Sequence, residues 1–290
     1  MKIGILSMER TLYTTRRLIW AAKDLGHEPI CMNTLNCSLM VGNGNFRVFH
    51  EEEEVGNLGV VLARIGSSIT DYGLAVVRHF EFNGIPVINS PDSIANSRDK
   101  FRCLQILLKN GINVPETILT RSASMALHSI KLLGGSPVIL KMLQGTHGVG
   151  VMLVDTPEAA ESVLETFWEV GKDIQIQQFI KESKGRDIRA LVIGDRVVAA
   201  MQRVSKKFRA NIHRDGEGIP IKLTPEQKKI ATKSASVLGL KIAGIDMILS
   251  NKGTMVLEAN SSPGFEGLER ATQKDVAKTI ISYVVDYAKR

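Results

Sequence analysis

Two carboxylates and an amide stand close together in the last third of the chain. Met255 to Leu257 is a short apolar run with β character, and it delivers Glu258 and Asn260 two residues apart, on one face of a strand. Asp246 interrupts a second apolar run, Ala243 to Leu249. Ser250 to Gly253, between the runs, has turn chemistry, so the two are expected to pair as a hairpin. Pairing would set Asp246, Glu258 and Asn260 side by side. Oxygen ligands of this hardness suit magnesium carried in by the phosphates of a nucleotide. A solvated edge with scattered acids is the competing reading, and it does not explain acids placed inside apolar runs.

Such a site needs cations for the phosphates. Pro137 to Leu140 is an apolar strand with Lys141 at its end, where a bare ammonium is costly unless it meets an anion. Gly145, Gly148 and Gly150 follow, and glycines let the backbone approach a polyphosphate and present N–H groups to it. The spacing is not that of a P-loop. A flexible turn is the alternative, and Lys141 directly ahead of the loop favours phosphate binding. Further on, Asp187 and Arg189 share a strand face with Leu191 and Ile193, which suggests that both point inward. They serve either the site or an internal salt bridge. The densest basic run is Arg203 to Arg214, and among the six histidines only His147 and His213 merit a test. No nucleophile with an adjacent base stands out, so covalent catalysis is unsupported.

The elements that must position these groups alternate. Ile3 to Ser7, Pro29 to Met32, Val60 to Ala63 and Ile85 to Asn89 read as strands, with helices over Leu12 to Leu25 and Tyr72 to Asn83. That order predicts a parallel, doubly wound first domain of α/β class. Residues 36–57, with Glu51 to Glu54, read as an exposed loop or edge hairpin. Helices are expected from Ser90, over Phe101 to Lys109, Ser122 to Leu133, Thr156 to Val170, Thr224 to Leu238 and Asp275 to Ala288. Strands are expected over Glu116 to Thr120, Ile174 to Ile180, Asp187 to Ile193 and Arg196 to Arg203.

Size and charge bound the rest. At 290 residues the chain can bury a sizeable core in two or three subdomains. No apolar run reaches membrane-spanning length. The three cysteines form no CxxC pair, which fits a reducing cytoplasm. The net charge of +7 suits an anionic partner, and with 5% aromatic residues and no helix-turn-helix or finger signature, direct nucleic-acid binding is not expected.

Taken together and in order, Arg98-Asp99-Lys100, Lys141 with its glycine loop, Asp187-Ile188-Arg189, Arg203, Asn211, Asp246 and the run Glu258 to Gly264 resemble the ATP-grasp ligases. Met1 to Ser7, Thr11 to Tyr13, Ala63 to Gly66 with Ile69-Thr70, and Asn211 to Arg214 look like the RimK-type glutamate ligases, which modify the C-terminus of a small-subunit ribosomal protein. The likeness spans essentially the whole chain. It implies a mixed α/β and α+β architecture: a doubly wound pre-ATP-grasp domain at 1–90, a central and lid subdomain at 91–180, and a C-terminal subdomain with the metal site at 181–290. It further implies that Lys100 and Lys141 hold ATP phosphates, that Gln178 and Phe179 lie at the adenine, and that Asp187 lies near the nucleoside. Arg209, Ala210 and Asn211 would line the nucleotide site. Asp246, Glu258 and Asn260 would hold two magnesium or manganese ions, and Arg189 and Arg203 would neutralise the transferred phosphoryl group. Gln178 and Asp215 depart from the family, which has Glu and Gly there; an amide at Gln178 can still accept from the adenine amino group.

The activity implied is ADP-forming ligation of L-glutamate to a protein or peptide C-terminus through an acyl phosphate, in a homo-oligomer with a tetramer as the candidate state. Two rivals stay open: a ligase that extends a small-molecule or coenzyme carboxylate, and a nucleotide-sensing or RNA-binding module without turnover.

Overall fold

Punctuation by glycine, proline and capping side chains cuts the chain into strands and helices close to the expected ones. The computed structural model describes residues 1–122, 125–143, 150–169, 173–205 and 217–290. The first part runs β1 (Lys2–Ser7), α1 (Tyr13–Asp24), β2 (Glu28–Asn33), β3 (Cys37–Gly42), β4 (Asn45–His50), β5 (Glu53–Glu54), β6 (Val60–Ala63), α2 (Thr70–Phe82) and β7 (Val87–Ile88). Strands β2-β1-β6-β7 form a parallel sheet, with α1 on one face and α2 on the other. The doubly wound reading therefore holds. The segment with the four glutamates is more ordered than a loop: β3, β4 and β5 form an antiparallel sheet of their own, and Cys37 and Val48 anchor it to the α2 side.

The middle of the chain contains α3 (Pro91–Arg98), α4 (Lys100–Lys109), β8 (Thr117–Thr120), α5 (Ala126–Leu132), β9 (Val138–Met142), β10 (Val151–Val154), α6 (Pro157–Glu169) and β11 (Ile174–Gln178). The antiparallel sheet β10-β9-β11-β8 buries Val138, Leu140, Ile174 and Ile176 against Ala126 and Ile130 of α5 and Ala160 and Leu164 of α6. Alternation then sends Lys141 and Gln175, which are register partners, to the opposite face.

The last part contains β12 (Arg186–Ile193), β13 (Arg196–Val204), β14 (Glu217–Pro220), α7 (Pro225–Val237), β15 (Ile242–Ser250), β16 (Gly253–Asn260), α8 (Glu266–Thr272) and α9 (Val276–Ala288). Thr224 and Gln227 form a reciprocal capping box that starts α7. The antiparallel sheet β14-β13-β12-β15-β16 covers one face with α7 and α4, through Ala190, Ile245, Met247 and Val256. Its other face is divided. Leu191, Ile193, Ala199, Met201 and Ile242 pack on α8, α9 and α1 in one continuous core with the parallel sheet. The remainder of that face carries charge.

Two polar residues lock the parallel sheet to this one. Buried Asn89, just past β7, donates to the carbonyls of Ile242 and Ser261, both at 2.8 Å, and accepts from the amides of Lys241 and Ile242 at 2.7 and 3.0 Å. Glu269 accepts from the Tyr13 hydroxyl at 2.7 Å, from Arg17 Nε at 3.1 Å, and from the first amides of α9.

Candidate active site

Register gathers the charges. Asp187 lies opposite Arg203 across β12 and β13, Arg189 opposite Asp246 across β12 and β15, and Asp246 opposite Glu258 across β15 and β16. Directly opposed residues of an antiparallel pair share a face, so all five side chains sit on the uncovered part of the sheet. A β-bulge makes the last pairing possible. Val256 points into the core opposite Met247, and strict alternation would send Glu258 the same way. Leu257 is instead left without a partner, and Glu258 returns to the face of Asp246. Asn260 follows on that face opposite Gly244, where a Cβ would come within 2.9 Å of Pro263 Cβ.

The buried ionic network is dense. Arg189 grips Asp246 through two bonds, Nε to Oδ1 at 2.7 Å and Nη2 to Oδ2 at 2.6 Å. Arg203 grips Asp187 the same way at 2.5 and 2.7 Å, and its Nη2 adds a bond to Asp246 Oδ2 at 2.8 Å. The internal salt bridge, the alternative reading for Asp187 and Arg189, is present, with a different partner for each. Burial pushes the Asp246 carboxyl up, but Arg189 and Arg203 outweigh it and hold it well below the usual carboxylate range. Three N–H donors occupy a carboxylate that has about four acceptor positions, which leaves about one for a further ligand. Glu258 has no hydrogen bond or ion pair among the described residues, and Asn260 Oδ1 accepts only the Ser262 amide at 2.9 Å.

Four further cations come from other elements. Asp99 accepts from the amides of Phe101 and Arg102 and so starts α4 directly after α3. This junction makes Arg98 the last residue of α3 and Lys100 the first of α4. Lys100 Nζ reaches the Leu143 carbonyl at the end of β9, at 3.0 Å. Burial lowers the pKa of Lys100 and of Lys141, and the field of Glu258 opposes this in both. Lys141 also feels Lys100, Asp246 and Asp187, so both sheets face one cluster. Arg64, after β6, is half-buried, and desolvation and Arg98 push it down to about 10. Six cationic side chains therefore meet three carboxylates, an excess that a polyanion would neutralise.

Gly150 has a φ of +77° at the entry to β10, where a Cβ would strike Met142 Sδ at 2.5 Å. Gln178 ends β11 and lines an open cavity of about 340 Å³ with Phe101, Leu104, Glu116 and Met255; Phe179 follows, half-buried. Gly145, His147, Gly148, Arg209, Ala210, Asn211 and His213 lie outside the described residues. Sequence reading overlooked Arg64 and Gln175. Arg64 follows an apolar strand as Lys141 does, the same signal. Gln175, whose Oε1 is buried without a hydrogen-bond partner among the described residues, gave none beyond strand alternation.

The donor set fits a hard cation only in part as a ready cage. Among the described residues no three His, Cys, Asp or Glu side chains converge on one point. Two carboxylates and an amide oxygen do line one face, and Glu258 is unoccupied by any donor there. No helix among the described residues is long and apolar enough to cross a membrane.

Comparison with known proteins agrees with this geometry. Residues 97–284 match the family model of the RimK-like ATP-grasp domain, and residues 1–94 that of the RimK PreATP-grasp domain. A protein of Cellvibrio japonicus named "Probable alpha-L-glutamate ligase" is 43% identical, over 100% of this chain and 97% of its own. A protein of the same name from Syntrophotalea carbinolica is 45% identical, over 100% and 97%. Among solved structures, the ATP-grasp ligase PsnB complexed with minimal precursor superposes with a TM-score of 0.78 at 21% identity, over 98% of both chains. The RimK domain protein ATP-grasp from Sphaerobacter thermophilus does so at 0.76 and 22%, over 98% of this chain and 100% of that one. At such identities the superpositions speak for the fold. With a pre-ATP-grasp parallel sheet ahead of two antiparallel sheets that face one charged cluster, this chain has the ATP-grasp fold and belongs to the RimK-like ATP-grasp family.

Proposed function

We propose that this chain is an ATP-dependent, ADP-forming ligase that joins the amino group of L-glutamate to the C-terminal carboxylate of a protein or peptide. The observation that carries the reading is the cluster, among the described residues, of six cations with Asp187, Asp246 and Glu258, set between two sheets and without a nucleophile–base pair among those residues. The curated relatives' shared name supplies the amino acid. In this reading the acceptor carboxylate attacks the γ-phosphate of ATP, and ADP leaves. The amine then attacks the carbonyl of the acyl phosphate and expels phosphate. Such chemistry asks for positioning and charge neutralisation rather than covalent help from the protein.

The residue roles are those that the family resemblance implies. Lys100 and Lys141 neutralise phosphates, and Gly145 and Gly148, outside the described residues, and Gly150 are assigned to the same phosphates. Gln178 and Phe179 take the adenine at the end of β11, and Asp187 with Arg209, Ala210 and Asn211 borders the nucleoside. Arg189 and Arg203 hold charge on the phosphoryl being transferred. Glu258, Asn260 and the remaining acceptor position of Asp246 would hold two magnesium or manganese ions. Bound there, such ions supply Lewis-acid relief of phosphate charge. We carry the division at 1–90, 91–180 and 181–290 as part of the same proposal, together with a small-subunit ribosomal protein as acceptor, a homo-oligomeric, tetrameric assembly and a cytoplasmic location.

Intact-mass analysis tests the reading. Candidate acceptors incubated with ATP, magnesium and each amino acid in turn should gain glutamate residues only with glutamate, and ADP and phosphate should form together. The Glu258→Gln variant should fold and release no ADP. AMP with pyrophosphate as products, or normal turnover by Glu258→Gln, would remove the assignment.

A further inference from the structure

Two members of the cationic cluster have no task in the chemistry above. Arg64 follows strand β6 and Arg98 ends helix α3, so they arrive from different elements. Arg64 Nη2 donates to the Pro263 carbonyl at 2.8 Å, and Arg98 Nη2 donates to the Ile65 carbonyl. Arg98 Nε is buried with no partner among the described residues. A guanidinium carries five N–H donors, so most of this capacity is unspent among the described residues, on two half-buried side chains. The fields run as a chain: Lys141 feels Lys100, Lys100 feels Arg98, and Arg98 bears on Arg64. Glu258 is the one carboxylate acting on Arg98, and none acts on Arg64, among the described residues. The segment that holds Arg64 carries a second orphan, the buried Ser261 Oγ.

Two adjacent half-buried cations repel each other and lose part of their hydration, so they persist at the edge of a site chiefly to receive an anion. Lys100 links Arg98 to Lys141 in this chain of fields, and the phosphates are assigned to the two lysines. The arginines' planar forks match a carboxylate better than a lysine does. Resting on the ligase reading, we infer that Arg64 and Arg98 form a receptor for a substrate carboxylate that does not react. Its source is a carboxylate of the incoming amino acid or the side-chain carboxylate of an acidic residue near the acceptor's end.

Matched carboxylate and carboxamide probes test this on the full chain. L-glutamate, L-glutamine and the α-amide of L-glutamate are titrated calorimetrically with a non-hydrolysable ATP analogue and magnesium present. Acceptor peptides ending in Glu-Glu are compared with ones ending in Gln-Glu. Wild type should prefer one carboxylate over its amide by roughly 30-fold or more. Arg64→Met and Arg98→Met should each lose most of that preference, with affinity for the ATP analogue changed by no more than about threefold. The probe whose preference collapses identifies the source. Arg64→Lys and Arg98→Lys keep the charge and should retain part of the preference, and they replace any methionine variant that circular dichroism finds unfolded. Preference retained in both variants overturns the receptor. A loss confined to the ATP analogue also overturns it and hands the arginines to the phosphates. The ligase reading itself fails separately, if wild type binds the probes yet forms no ligated product.

Discussion

At the scale of single residues, the site is governed by what burial does to lysine. Lys141 is an ammonium in a poorly hydrated place, and burial lowers its pKa against the pull of Glu258. A lysine whose folded pKa lies below its unfolded value carries a penalty that is complete below the folded pKa. The penalty fades as pH rises between the two values, so the ligand-free protein gains stability on that leg. A polyphosphate reverses the preference, because it favours the charged form. Nucleotide binding should therefore take up protons on the alkaline side. Affinity for ATP should fall as pH rises from the lowered pKa of Lys141 in the ligand-free protein toward and past its ordinary value. Lys141→Arg should flatten this dependence, because a guanidinium stays charged throughout. Calorimetry in buffers of different ionisation enthalpy measures the proton uptake directly; equal slopes in both proteins would remove Lys141 from the phosphate site. Asp246 behaves oppositely. Its lowered pKa contributes stability that is present above the unfolded value and lost only as pH falls through the folded one, so acid should release the Arg189 and Arg203 grip late in an acid titration.

At the scale of elements, the side-chain amide of Asn89 is one of the polar joints between the parallel sheet and the C-terminal sheet. Asn89 spends two donors and its acceptor oxygen on β15, its approach and the Ser261 carbonyl, all without water. Asn89→Ala leaves these backbone groups unsatisfied and should cost about 2–4 kcal/mol of stability in urea unfolding. Asn89→Asp should cost at least as much, since it turns an oxygen toward two carbonyls. A loss below about 0.5 kcal/mol would mean the junction is held by apolar packing alone. The joint was invisible in the sequence, where Asn89 merely closed an apolar run. The hairpin bearing Asp246 and Glu258 was legible, because two apolar runs and a turn define it locally. So were the two separate helices, one from Ser90 and one over Phe101 to Lys109, although the Asp99 cap that divides them was not. The bulge at Leu257 was not, because two-residue alternation is the same with or without it and only pairing with Met247 and Asp246 reveals the extra residue. Arg64 and Arg98 were likewise separate entries in the sequence until β6, α3 and the Ser261 to Pro263 segment came together.

At the scale of the molecule, the cores predict where opening begins. Leu18 and Ala22 of α1, Ile3 and Ile5 of β1, Leu191 of β12 and Ile280 and Val284 of α9 belong to one apolar cluster. The parallel sheet and the C-terminal sheet therefore share a core, and unfolding one exposes the other. The sheet β10-β9-β11-β8 has a cluster of its own, drawn from Ala126 to Ile176. Its described polar link to α4 is Lys100 on the Leu143 carbonyl. Segments with a separate, smaller core open at lower free energy than those in a shared one. Without ligand, amides of β9 and β11 should exchange with solvent sooner than those of β12 and β15. A nucleotide seated between the sheets adds bonds to both and stabilises the closed arrangement in proportion to its saturation, by about 2.7 kcal/mol at 100 times its Kd. Hydrogen exchange with and without a non-hydrolysable ATP analogue and magnesium should then show protection gained mainly in β9 and β11, at Lys141 and Gln175, with little change around α1 and α9. Protection spread evenly over all three sheets would mean that the central sheet is already coupled to the shared core, and that the nucleotide binds a preformed cleft rather than drawing two bodies together.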